Sequence, residues 1–379
     1  MNILFLTTVL PSGRYGGGEI WSQNIVDALR AANAAVTVVG YDRRGAGAVA
    51  GEVAVTSRTV ETARNPLAAL RWGMEALLRS RPYTVQKWAG AEYRTAVRKL
   101  FGEQDWDLAV VDHAGMAWMH SEIGRLPFVH VAHQAESSLY AQHAASGSCL
   151  ALAHRREARL VRETEARLAR HAVQVWTLSE QDGHYFRKLG AQSVRALPVA
   201  GRPGWEAVSS RTANDADLAL LGSWTWKPNR EGLVWFLTEV VPLLPKTWII
   251  KVAGKYVARG LPRPDNVRFV GVVPDAFDFL RGAKRIAVPS LSSVGVPIKL
   301  LDAIAVGSPV VTTQAALARI GDAPHHVVAA ADAMEFARAL TEAHAAGAGG
   351  HWARKRQEAL RDGVAEALAS LEGRRAAAH

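Results

Sequence analysis

The sequence predicts an α/β protein made of two Rossmann-like halves. Three observations carry that prediction. Short apolar runs rich in β-branched residues alternate with stretches of helical period along most of the chain. A glycine-rich turn, Gly16-Gly17-Gly18, follows the first run and opens a helix. The 379 residues are also too many for one ordinary core, so two domains are the default.

The elements follow in order. Asn2 to Thr8 is a β-rich run, and Gly16-Gly17-Gly18 comes after a polar loop. Glu19 to Ala32 then has helical period, with Ile20, Ile25, Val26 and Leu29 on one stripe, and Ala35 to Gly40 is the next strand. Strand, glycine loop, helix and strand make a βαβ unit with a parallel sheet. Further strands are expected at Leu108–Val111, Phe128–His133 and Gln174–Leu178. The second half repeats the scheme at Leu218–Leu221, Trp248–Ala253, Val267–Val270, Arg285–Pro289 and Val310–Thr313. Pro198 to Asp217 has little periodicity and reads as the linker, which divides the chain into residues 1–200 and 201–379. Ligands in open α/β sheets bind beyond the carboxyl ends of the strands, so site residues are sought there.

Composition narrows the function. Hydrophobic content of 49% with charged content of 21% describes an ordinary globular chain. No run of eighteen uncharged apolar residues is present, and the N-terminus lacks the charged start of a signal peptide. One cysteine, Cys149, excludes an internal disulfide and a thiolate zinc site, so a cytoplasmic setting is expected. The net charge of +10 suits nucleic acid, an anionic membrane face or a phosphorylated substrate. Because the charge is dispersed and no nucleic-acid-binding pattern occurs, nucleic acid is the poorest of the three.

The most informative stretch runs from Ser293 to Thr313, SVGVPIKLLDAIAVGSPVVTT. A glycine-containing turn opens a short helix, whose free N–H groups and partial positive charge suit a phosphate. Lys299 adds a full charge one turn in, and Asp302, three residues on, shares its face. A cation for phosphate and a carboxylate for hydroxyls suit a nucleotide sugar.

This segment resembles the donor-binding stretch of GT-B glycosyltransferases of the group 1, family-4-like kind, which usually reads K-x-x-E-A-M-A-x-G-x-P-V-V. Two further stretches share the resemblance, which covers most of the chain. Gly222-Ser223-Trp224-Thr225-Trp226-Lys227-Pro228-Asn229 looks like the G-S-x-x-W-x-P-N opening of a bacterial exopolysaccharide-related branch. Val267-Arg268-Phe269-Val270-Gly271-Val272-Val273-Pro274-Asp275 is similar to V-x-F-x-G-x-V-x-D. The resemblance implies a GT-B fold with an interdomain cleft and a metal-independent hexosyl transfer. The donor is a nucleotide sugar, with no separate cofactor. The sequence agrees in lacking a compact Asp-x-Asp or His/Cys ligand cluster.

Site residues follow. Gly17 and Gly18, in the first glycine loop, are expected against the donor diphosphate or the acceptor. His133, at a strand's carboxyl end, corresponds to a histidine that contacts the donor sugar in the family, and neutral imidazole can hold a hydroxyl or take its proton. Glu136 is a second candidate base, and His113, after the Leu108–Val111 strand, a candidate for the acceptor. Lys255 and Lys299 are expected to stabilise the leaving diphosphate. Gly222 and Ser223 lie in the donor loop, Val272 and Val273 at the base, and Asp302 at the ribose. Two departures stand out. Val294 occupies the place of the first carboxylate of E-x₇-E, and Ser223 that of a common arginine.

Asn65 to Trp88 carries an apolar stripe of Leu67, Leu70, Met74, Leu77 and Leu78, flanked by Arg71, Trp72, Arg79, Arg81, Tyr83, Lys87 and Trp88. That mixture fits either a buried helix with a charged outer face or a helix on a membrane surface holding a lipid-diphosphate-linked acceptor at the inner face of the cell membrane. The expected acceptor is a glycan or such a lipid, in surface polysaccharide or glycolipid assembly. A catalytically silent partner subunit and a UDP-sugar 2-epimerase of the same fold are the alternatives. The last residues, Arg374 to His379, read as a disordered tail.

Overall fold

The structure, a computed structural model, describes residues 1–13, 16–43, 45, 47–58, 65–145, 150–206, 215–256, 260–291, 295–342 and 345–378. Two compact units are present. One comprises Met1–Pro198 together with the chain from Leu360 onward; the other is Val199–Ala359. The terminal helix Gly349–Ala378 therefore contributes to both, and its last turns group with the first unit, whereas the sequence division assigns everything after residue 200 to one domain. The stretch expected to be a disordered tail is the end of that helix as far as Ala378.

The first unit is built on a seven-stranded sheet: β1 (Asn2–Val9), β2 (Ala35–Asp42), β3 (Glu52–Ser57), β4 (Leu108–Asp112), β5 (Phe128–Ala132), β6 (Gln174–Thr177) and β7 (Val194–Ala196). Their order is β3-β2-β1-β4-β5-β6-β7, and every neighbour pair is parallel. Helices cover both faces of such a sheet, which is why β1 and β4 are almost continuous apolar runs rather than alternating ones. Leu4, Leu6, Val39, Tyr41, Val111, Met116 and Phe186 pack into its core. The order reverses between β1 and β4, which makes their carboxyl ends the place for a ligand.

The second unit repeats the plan with β8 (Ala216–Leu221), β9 (Ile250–Ala253), β10 (Val267–Gly271), β11 (Ala283–Val288), β12 (Val310–Thr313) and β13 (Val327–Ala330). The order is β10-β9-β8-β11-β12-β13, again all parallel, with the reversal between β8 and β11. Leu218, Leu220, Trp224, Phe236, Ile250, Val252 and Phe336 form its core. Strands β3, β7 and β13 were not anticipated. β3 and β7 are edge strands without a fully buried residue, and β13 has one, so none presents the apolar run that marks a central strand.

Candidate active site

The first unit gathers its chemistry around one buried carboxylate. Asp112 is the last residue of β4 and has no exposed surface. Thr7 Oγ1 and Ser22 Oγ each donate to its Oδ2 at 2.7 Å, and His133 Nε2 lies 2.7 Å from its Oδ1. Burial alone would raise its pKa. The His133 and His113 rings and these hydrogen bonds outweigh that and hold the carboxyl below its ordinary range. Asp112 is thus an ionised group at the centre of the site, and nothing in the sequence analysis singled it out.

His133 follows β5, with its side chain 10% exposed. With Nε2 engaged by Asp112, Nδ1 is the ring nitrogen left clear of that carboxylate. Nδ1 faces Gly18, where an added Cβ would lie 3.6 Å from it and 3.5 Å from His113 Cε1. That glycine keeps the helix Gly17–Ala31 from covering the two rings. Gly17 opens the same helix, and its side of the loop is exposed.

His113 stacks on His133, with centroids 3.6 Å apart and planes at 18°. Its backbone has φ 70° and ψ 147°, a region that residues with a side chain rarely adopt and that costs of order 1–3 kcal/mol. The neighbouring strand end holds it there through His113 N donating to Val131 O at 3.1 Å. Burial, then the neighbouring His133 ring, push its pKa down to about 3, so it is neutral at ordinary pH. His130, one turn of the pleat away, is fully buried and bonds Val111 O instead; the strand alternation separates it from the site.

Glu136 opens the helix Glu136–Ala145, with Oε1 4.0 Å from His113 Nδ1 and accepting from Ala114 N at 3.3 Å. Burial and the nearby Glu165 charge push it up to about 8, so at neutral pH it is a hydrogen-bond donor more than a base. Glu165, fully buried, accepts from Glu136 N at 2.7 Å and from Tyr185 Oη at 2.6 Å. It thereby caps the helix that carries Glu136.

Asp112, His113 and His133 could hold a metal by distance, since their ligand atoms lie within 4.8 Å of one another. The sequence shows no such cluster because the three come from two strand ends. Their geometry favours proton chemistry. Nitrogen lone pairs lie in the ring planes, and stacked rings direct them side by side, while His133 Nε2 is already on the carboxylate.

In the second unit the expected donor residues lie at the carboxyl ends of adjacent strands. Gly222 follows β8, Lys255 comes after β9, and Val272 and Val273 follow β10. Gly254 has φ 112°, and a Cβ there would lie 1.8 Å from Gly222 O, so the two turns touch backbone to backbone. Gly254 N donates to Gly271 O at 2.6 Å, which ties in the third turn. Ser223 and Lys255 are exposed, as is Val272. Lys299, in the first turn of the helix Ile298–Val306, donates to Asn229 Oδ1 at 2.8 Å and lies 5.4 Å from the Trp224 ring. Asn229 Nδ2 in turn donates to Ser223 O, so one amide joins the lysine to the donor loop. Burial pushes the Lys299 ammonium down to about 8, and among the described residues no carboxylate pairs with it.

Asp302 departs from its expected role. It is 1% exposed, receives Arg202 N at 2.9 Å and has the Arg202 guanidinium 3.6 Å away. It clamps the chain at Arg202 rather than offering itself to ribose hydroxyls. Val294 lies outside the described residues.

Residues 215–345, inside the second unit, match the family described as "Glycosyl transferases group 1". Over the whole chain the fold is similar to solved structures. Sucrose-phosphate synthase from Thermosynechococcus elongatus superposes with a TM-score of 0.69 at 15% identity, covering 100% of both chains. HepE from Anabaena in complex with UDP-glucose superposes with a TM-score of 0.63 at 15% identity, covering 98% of this chain and 100% of that one. No curated protein matches the sequence significantly. The fold is GT-B, and residues 215–345 are similar to the group 1 glycosyl transferase family. No helix among the described residues is long and apolar enough to cross a membrane.

Proposed function

We propose that this protein transfers a hexose from a nucleotide sugar to a hydroxyl of a glycan or lipid-diphosphate-linked acceptor, in bacterial surface polysaccharide or glycolipid assembly. The observation that carries the reading is Lys299: a partly buried ammonium on a neutral amide, at the start of a helix beside the sheet reversal. Such a cation is stabilised by an arriving diphosphate. HepE is solved with UDP-glucose, so uridine sugars are the first donors to test.

In the reaction, an acceptor hydroxyl oxygen forms a bond to the anomeric carbon. The bond from that carbon to the phosphate oxygen breaks, and its electron pair leaves with the nucleoside diphosphate. Lys299 and the helix N–H groups stabilise the growing charge, and exposed Lys255 is the second cation for it. His133 Nδ1 accepts the hydroxyl's proton while Asp112 holds the resulting imidazolium. Neutral Glu136 and His113 hold sugar hydroxyls beside it, and Gly18 leaves the approach open. The chemistry needs no metal and no separate cofactor. A complete acid–base set of Asp112, His133 and Glu136 favours an active enzyme over a silent partner subunit.

The test is thermal denaturation with UDP-, GDP- and ADP-sugars. At 100 times its Kd, the true donor class adds about 2.7 kcal/mol of stability. Lys299→Ala should abolish the shift. If no nucleotide sugar shifts the wild type, the donor site does not exist.

A further inference from the structure

The helix Pro66–Leu78 faces the wrong way for a helix of a soluble protein. Its buried residues are Trp72 and Ala76 alone. Leu67 is 81% exposed, Leu70 62%, Met74 51%, Leu77 63% and Leu78 86%. At about 100° per residue these five occupy one arc roughly 100° wide, opposite Ala76. Scattered exposed leucines are ordinary, but four leucines and a methionine on one helical stripe mark an interaction surface. A buried helix with a solvated charged face, one of the two readings of this segment, is therefore excluded.

The surroundings say what covers the stripe. Arg71, 64% exposed, borders it, and Arg79 caps the helix. Arg81 follows, held below its ordinary pKa by burial and by Arg79, Arg94 and Arg167 around it, which together make a cluster of cations. The neighbouring helix Ala151–His171 meets this one where Arg156 Nη2 donates to Ala76 O at 3.0 Å. One turn earlier, that helix exposes Leu152 at 78%, and beside it Arg155 and Arg159 are exposed. Against these cations stand Glu75, which pairs with Arg71 and accepts from Gln86, Glu122 on Arg94 and Glu163 on Arg159, which among the described residues leaves Arg79, Arg81 and Arg155 as the surplus. An apolar stripe rimmed by arginines complements a bilayer whose headgroups are anionic and whose acyl chains begin just beneath them.

We propose that the Leu67–Leu78 face inserts into the headgroup boundary of an anionic phospholipid bilayer, with Arg71, Arg79 and Arg155 on lipid phosphates. The five apolar side chains enter to about 5–10 Å, the depth usual for such helices. The step from bilayer contact to a lipid-borne acceptor rests on the transferase reading; the contact itself does not.

The experiment is flotation of the full-length protein with phosphatidylcholine vesicles, with and without phosphatidylglycerol at three parts in ten, without nucleotide. Binding should be at least tenfold stronger to the anionic vesicles and should weaken with salt. The variant Leu67→Gln, Leu77→Gln, Leu78→Gln changes only exposed positions to another helix former, and should lose at least tenfold of that binding while keeping its melting temperature. Arg71→Gln with Arg79→Gln should lose the preference for anionic vesicles. Equal recovery of wild type and triple variant overturns the proposal. So does a wild-type dimer that ignores vesicles and becomes monomeric in the triple variant, because the face then pairs with a second copy. Either failure would leave nucleotide-sugar binding untouched, so it is distinguishable from failure of the transferase reading.

Discussion

At the scale of single residues, the site depends on which protons are bound where. Asp112 is ionised, His113 is neutral, and Glu136 is protonated up to about pH 8. Asp112→Asn keeps the shape but no longer stabilises imidazolium. It should lower the transfer rate by about 10²–10⁴ while leaving the donor-induced thermal shift intact. Glu136 has a folded pKa above its unfolded one, so its contribution to stability is full below about pH 4.5 and is lost as pH rises to about 8. The contributions of His113 and His130, both depressed, vanish only below pH 6.5, and that of Lys299 changes above pH 8. Between pH 6.5 and 8, stability should therefore fall by up to about 2 kcal/mol. Glu136→Gln should flatten that slope in thermal melts across the window. Asp112 itself was illegible in the sequence, because an acid ending an apolar strand looks like a turn residue. Only the fold shows that Thr7, Ser22 and His133, from three other segments, converge on it. His133 and His113 were legible from their strand ends, although their stacking was not.

At the scale of elements, the glycines at strand ends decide how closely turns approach. Gly254 touches Gly222 backbone to backbone at positive φ. Gly254→Ala should cost about 2–4 kcal/mol and separate the turns after β8 and β9, which denaturant melts and nucleotide titrations would both detect. The central strands of both sheets could be read from apolar runs, whereas their order and its reversals are visible only in the fold. Three edge strands, β3, β7 and β13, escaped because half-buried residues carry little periodic signal, whereas the edge strand β10 was read from Val267–Val270. Asp302 illustrates a different limit: spacing put it on the lysine's face of the helix, but spacing cannot show that Arg202 already occupies its carboxylate. The Leu67–Leu78 stripe shows the same limit again, since a period reveals a face and not the medium it meets.

At the scale of the whole molecule, two parallel sheets of seven and six strands repeat one plan. One carries proton-handling groups at its reversal, and the other carries a cation on a helix start. That division of labour is what sugar transfer requires: a base for the incoming hydroxyl and a counter-charge for the departing diphosphate. The most direct test is the release of UDP from UDP-glucose, with water as a slow acceptor, by wild type, Asp112→Asn and Lys299→Ala. The wild type should release UDP steadily, and Lys299→Ala should be slower by about 10²–10³. Asp112→Asn should also be slower, with donor binding retained. Release that is equal in all three proteins, or absent in the wild type with every nucleotide sugar, would contradict the account.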